Sequence, residues 1–60
     1  MTQNQKNKLI DQIAYAEIAQ YDTRELKGYA IALLAEAMRR DYVDGKLTDK
    51  EITRQAKELK

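Results

Sequence analysis

The sequence predicts an all-α fold of three helices, and three observations predict it. Apolar residues recur at spacings of three and four along most of the chain, which places them on one side of a helix. Helix formers (Ala, Leu, Lys, Glu, Gln and Arg) dominate, and no stretch alternates β-branched with polar residues as a half-buried strand does. There is no Pro, and the only glycines are Gly28 and Gly45. The helices are expected at about 5–20, 23–43 and 49–59. The first two should form an antiparallel hairpin, with the short third helix added to it, in a single domain over residues 1–60.

Met1 to Asn4 reads as a frayed tail. The first helix then runs from Gln5 to Gln20. Leu9, Ile10, Ile13, Ala14, Ala16 and Tyr21 fall on one broad side of it. Asp22 stops this pattern and restarts it. Its carboxylate suits a helix cap, with Glu25 three residues on as in a capping box.

The second helix is expected from Thr23 to Val43. Leu26, Ala30, Leu33, Leu34, Ala37 and Met38 form its central stripe, widened on one side by Ile31, Ala35 and Tyr42. So wide a stripe predicts two neighbours, which would place this helix in the middle of the fold. Gly28 falls near its first turn, where glycine is tolerated at a small cost. Ala14, Ala16 and Ala19 in the first helix, and Ala30, Ala32, Ala35 and Ala37 in the second, would let the axes approach closely.

Gly45 ends the second helix, since the position just past a helix often needs a left-handed backbone. Leu47-Thr48-Asp49-Lys50-Glu51-Ile52 is the clearest local signal in the chain. Thr48 is the expected N-cap, Glu51 can return the capping bond, and Leu47 and Ile52 form a hydrophobic staple. Asp49 adds a negative charge to the first turn, where the helix dipole favours it. Ile52, Ala56 and Leu59 then share one narrow stripe, so the third helix should sit as a lid on the hairpin.

Composition excludes several kinds of function. The chain has 60 residues, short enough that a stable core needs very regular packing or a partner. It has no Cys and no His, so disulfides and the usual zinc, haem and iron–sulfur sites are out of reach. The common catalytic base and nucleophile pairs are missing for the same reason, and no enzymatic activity or cofactor is expected. Net charge is +1, from 11 basic and 10 acidic residues, which suits neither a DNA mimic nor a strongly basic nucleic-acid binder. The longest apolar run, Tyr29 to Ala35, is far short of the roughly 20 residues that cross a bilayer. The polar start of the chain is not followed by a signal-type apolar core, so a cytoplasmic protein is expected.

The second turn also invites a test for calcium. Aligned on Gly45, the residues Asp44, Leu47 and Glu51 match positions five, eight and twelve of an EF-hand loop. Arg40 would then stand at the first ligand position and Tyr42 at the third, and a cation there opposes calcium. Helix capping explains Gly45, Thr48 and Glu51 without a metal, so no metal site is expected.

Gly45, Leu47, Thr48, Glu51, Ile52 and Leu59 also resemble the short C-terminal, or SHOCT, helical hairpin. That family carries a leucine-bearing helix, then Gly-x-Ile/Leu-Thr-x-x-Glu-Phe, then a Lys-rich helix ending in Leu. The resemblance covers at most residues 30–60, and Ile52 stands where the family has an aromatic. It implies a small module that works by association and has no catalytic role.

Four sets of residues are candidates for function. Glu17 and Asp41 fall on or beside apolar stripes, where a carboxylate needs a partner or a ligand. Tyr15 and Ala19 on the first helix, and Tyr29, Ala32 and Val43 on the second, are apolar residues on sides expected to face outward; Tyr is a favoured interface residue. Lys50, Arg54 and Lys57 make a basic stripe on the third helix, with Lys46, Arg39 and Arg40 nearby, and are the alternative site for nucleic acid. The leading expectation is a non-enzymatic protein-interaction module, a small regulator or inhibitor of a larger protein that also self-associates. The second is a small nucleic-acid-binding protein using the basic stripe.

Overall fold

A computed structural model describes residues 1–21 and 25–59. It contains three helices: α1 (Gln3–Ala19), α2 (Lys27–Val43) and α3 (Asp49–Lys57).

The start of α1 is capped, not frayed. The Gln5 amide donates to Thr2 Oγ1 at 3.1 Å, and the Thr2 amide donates to Gln5 Oε1 at 3.1 Å. This reciprocal pair satisfies first-turn donors that the helix itself leaves open. The helix therefore begins at Gln3, two residues before the expected start.

The start of α2 also differs. The helix opens at Lys27 behind Leu26, whose side chain offers no cap. Asp22 and Thr23, expected to cap and open it, lie outside the described residues. Gly28 falls in the first turn of α2, where its low helix propensity does nothing to extend the helix backward.

The second turn is built as the sequence predicts. Gly45 has φ +80°, the only positive φ among the described residues. The Lys46 amide donates to the Asp41 carbonyl at 2.8 Å, and the Gly45 amide donates to the Tyr42 carbonyl at 3.2 Å. These two bonds are the paired closure of a Schellman motif. Thr48 Oγ1 then accepts from the Glu51 amide at 3.2 Å, which starts α3. Glu51 does not return the capping bond. Its carboxylate holds the Arg54 guanidinium and also accepts from Gln55 Nε2 at 3.3 Å. A guanidinium is the stronger partner for a carboxylate than a backbone amide.

Among the described residues seven apolar side chains form the core: Ile10, Ile13 and Ala14 from α1, Ala35 and Met38 from α2, Leu47 from the turn, and Ile52 from α3. Ile10 and Ile52 are fully buried. Ala14 and Ala35 are both in this core, where small side chains let helices approach.

Helices α1 and α2 run antiparallel. Near the start of α1, Asn7 Oδ1 and Asp11 Oδ1 accept from Arg39, near the end of α2, at 3.3 and 2.8 Å. Lys6 Nζ lies 4.4 Å from the centre of the Tyr42 ring. At the other end of the pair, Lys27 Nζ lies 5.0 Å from the centre of the Tyr15 ring.

Helix α1, not α2, is the middle element. It packs against both α2 and α3, whereas α2 and α3 do not pack on each other. The wide stripe of α2 therefore meets one neighbouring helix, not two.

Two glycine substitutions test these assignments. At Gly45 an added methyl meets no atom within 4 Å, so its cost is backbone strain alone, about 1–2 kcal/mol. Gly28 is equally open but lies in ordinary helical backbone, so Gly28→Ala should stabilise by about 0.5–1 kcal/mol. Thermal melts should show a lower midpoint for Gly45→Ala and a higher one for Gly28→Ala. The opposite sign at either site contradicts the assignment there.

Candidate interaction surface

The side of α2 that faces the core is set by Ala35 and Met38, with Ile31, Leu34 and Tyr42 packed partly against it. Ile31, Ala35 and Tyr42 belong to the flank that widens the expected stripe, and Leu34 and Met38 to its centre. Three other residues expected at the centre, Leu26, Leu33 and Ala37, are turned away. Leu26 is 67% exposed and Leu33 50% exposed, and Ala37 is exposed as well. Tyr29 joins them at 66%. Leu26, Tyr29, Leu33 and Ala37 follow one another at intervals of three, four and four, so they form a single apolar line along the outside of α2.

The expected interface residues are all exposed, but they do not form one patch. Tyr29 and Ala32 lie near the start of α2, whereas Val43 is fourteen residues beyond Tyr29, about 21 Å along the helix. Tyr15 and Ala19 are one turn apart on the outside of α1. Leu26, Leu33 and Ala37 are surface residues that the sequence pattern alone places in the core. The available signal was the width of the stripe, which exceeds what one helix neighbour can cover.

The separation of α2 from α3 opens a cleft of about 280 Å³ over α1. Ile13, Leu34, Met38 and Leu47 give it apolar walls, and Gln55 borders it from α3. Both singled-out carboxylates, Glu17 from α1 and Asp41 from α2, line this one cleft. They are twenty-four positions apart in sequence and are brought together only by the hairpin. Both residues are exposed, and among the described residues neither forms an ion pair. A second hollow of about 340 Å³ continues the cleft toward the end of α3 and shares Ile13, Glu17 and Gln55 with it.

The basic stripe of α3 is neutralised at its centre. Arg54 Nη1 donates to Glu58 Oε2 at 2.8 Å, and its other nitrogens hold Glu51. Arg39 is likewise engaged, by Asp11 and Asn7. The surface hollow beside the stripe, about 620 Å³, mixes Asp49 and Glu51 with Lys50, Arg54 and Lys57. Its charge is therefore not of the single sign that attracts a phosphate backbone. Among the described residues no cluster of acidic side chains could hold a metal ion. No helix among them is long and apolar enough to cross a membrane.

No protein-family model matches the chain, and no curated protein or solved structure matches it. The SHOCT resemblance therefore rests on the residues around the second turn alone.

The Glu51–Arg54 pair carries a pH dependence. Arg54 first, then Gln55, pulls the Glu51 carboxyl below its ordinary value. A carboxylate lowered in the folded state contributes stability above its unfolded pKa and loses it as pH falls through the folded one. In melts followed by circular dichroism, Glu51→Gln should lower the midpoint at neutral pH. That difference from wild type should shrink as pH drops below the unfolded value of about 4.3. A gap that stays constant into acid would show that the pair adds nothing to stability.

Proposed function

We propose that this chain is a non-enzymatic interaction module that receives an amphipathic helix of a partner protein between α2 and α3. Such a module would act as a regulator or inhibitor, by occupying a helix that its partner uses elsewhere. The observation that carries the reading is the cleft itself, apolar along its walls and flanked by Glu17 and Asp41. An incoming helix would place Leu- or Ile-type side chains against Ile13, Leu34 and Met38, as in other helix-in-groove modes. Its Lys or Arg residues would approach Glu17 and Asp41. Complementary charge of this kind mainly sets specificity and the rate of encounter. A cytoplasmic setting is part of the same proposal.

The test uses two synthetic amphipathic helices, one with Lys flanking its Leu face and one with Glu. In fluorescence anisotropy the Lys peptide should bind at least about tenfold more tightly, a difference of about 1.4 kcal/mol. The double variant Glu17→Lys, Asp41→Lys should reverse that preference, since both positions are exposed and tolerate exchange. Equal binding of the two peptides, or binding of neither, would refute the reading.

A further inference from the structure

We infer that the outer face of α2 pairs with α2 of a second copy of this chain, antiparallel, about a two-fold axis at Leu33. This face is distinct from the cleft, which α2 borders with Leu34, Met38 and Asp41.

The first support is the symmetry of the exposed apolar line. Tyr29 and Ala37 each stand four residues from Leu33, one before and one after it. Antiparallel pairing about Leu33 thus sets Leu33 against its own copy and Tyr29 against Ala37 of the other chain, twice. A large ring then faces a small side chain on both sides of the axis, as interdigitating helices require. Interfaces with two-fold symmetry are self-complementary in this way.

Charge supplies the second support. Arg40 lies seven residues after Leu33, and Leu26 lies seven before it. The pairing places the Arg40 stem along the second copy's Leu26, with its guanidinium next to Glu25 of that copy. Both Arg40 and Glu25 are exposed, and Arg40 has no ion pair among the described residues. Glu36, three residues after Leu33, meets the small Ala30, three residues before it. Parallel pairing in register would instead set Arg40 on Arg40 and Glu36 on Glu36, which costs energy. The charges of α2 thus favour the antiparallel arrangement.

The core supplies the third. Among the described residues seven apolar side chains are buried, while α2 and its N-cap Leu26 expose two leucines and a tyrosine on one side. Small folds of this size commonly complete their burial by association.

The chain has no cysteine, which makes the register directly testable. Leu33→Cys puts one thiol on the two-fold axis, where the two copies' Cα atoms fall within the roughly 4.4–6.8 Å that a disulfide spans. On mild oxidation it should form a covalent dimer much faster than Lys50→Cys, whose thiol lies on the outside of α3. Sedimentation equilibrium over a concentration series should show a wild-type dimer. Arg40→Glu should weaken it about tenfold, and Glu25→Arg combined with Arg40→Glu should restore it. Circular dichroism should show that each variant remains helical. The pairing is overturned by a wild type that stays monomeric, by equal cross-linking at both positions, or by a charge swap that fails to restore association. These outcomes leave the peptide titration of the cleft unaffected, because that measurement runs equally well on the Arg40→Glu chain.

Discussion

Packing between helices passes through α1 among the described residues, and the remaining features of the molecule follow from that constraint. Ile10, Ile13 and Ala14 offer one buried band, and both other helices lean on it from different sides. Two helices that share a support without touching each other leave a gap above it. The cleft between α2 and α3 is therefore a consequence of the packing, and its floor contains a core residue, Ile13. A fourth helix in that gap would turn three elements into a bundle.

The turn before α3 fixes where that helix begins. The Asp41 carbonyl accepts from two amides, those of Lys46 and Leu47, at 2.8 and 3.2 Å. Six residues later in the chain from Lys46, Ile52 is fully buried, and Leu47 is buried as well. The Schellman closure, the Thr48 cap and the Leu47–Ile52 pair thus act within a short span and reinforce one another. Asp41 takes part on both sides of this arrangement. Its backbone closes α2, while its side chain borders the cleft. The position of that carboxylate is consequently tied to the most tightly specified turn in the chain.

Legibility from sequence follows the range of the interactions. Gly45, Thr48 and the staple act over a few residues, so their chemistry is visible in the order of residues alone. The Thr2–Gln5 cap is equally local; its spacing was present in the sequence, but the polar context concealed it under the expectation of a frayed tail. Which side of α2 is buried is a different kind of question. Leu26, Leu33 and Ala37 are as apolar as Ile31, Ala35 and Met38, so periodicity supplies two overlapping answers. The choice is made by contacts across the hairpin, including Arg39 with Asn7 and Asp11, residues 32 and 28 positions apart. No local spacing encodes such pairs. Glu17 and Asp41 stood out because a carboxylate beside an apolar stripe is costly, yet that they share a cleft depends on the same long-range packing.

Internal and external work are thereby divided between two helices. Substitutions in the buried band of α1 act on the core, and through it on the fold as a whole. Substitutions at Leu26, Tyr29 or Leu33 remove apolar surface that the isolated chain leaves in water, so they should cost the monomer little. Any partner that covers α2 binds only the folded chain and stabilises it in proportion to the logarithm of its concentration over its dissociation constant. A lean core and a broad outer face are then two aspects of one arrangement. Leu26, Tyr29 and Leu33 stay in solvent on the outside of α2, while the core draws on the opposite side of the same helix through Ala35 and Met38.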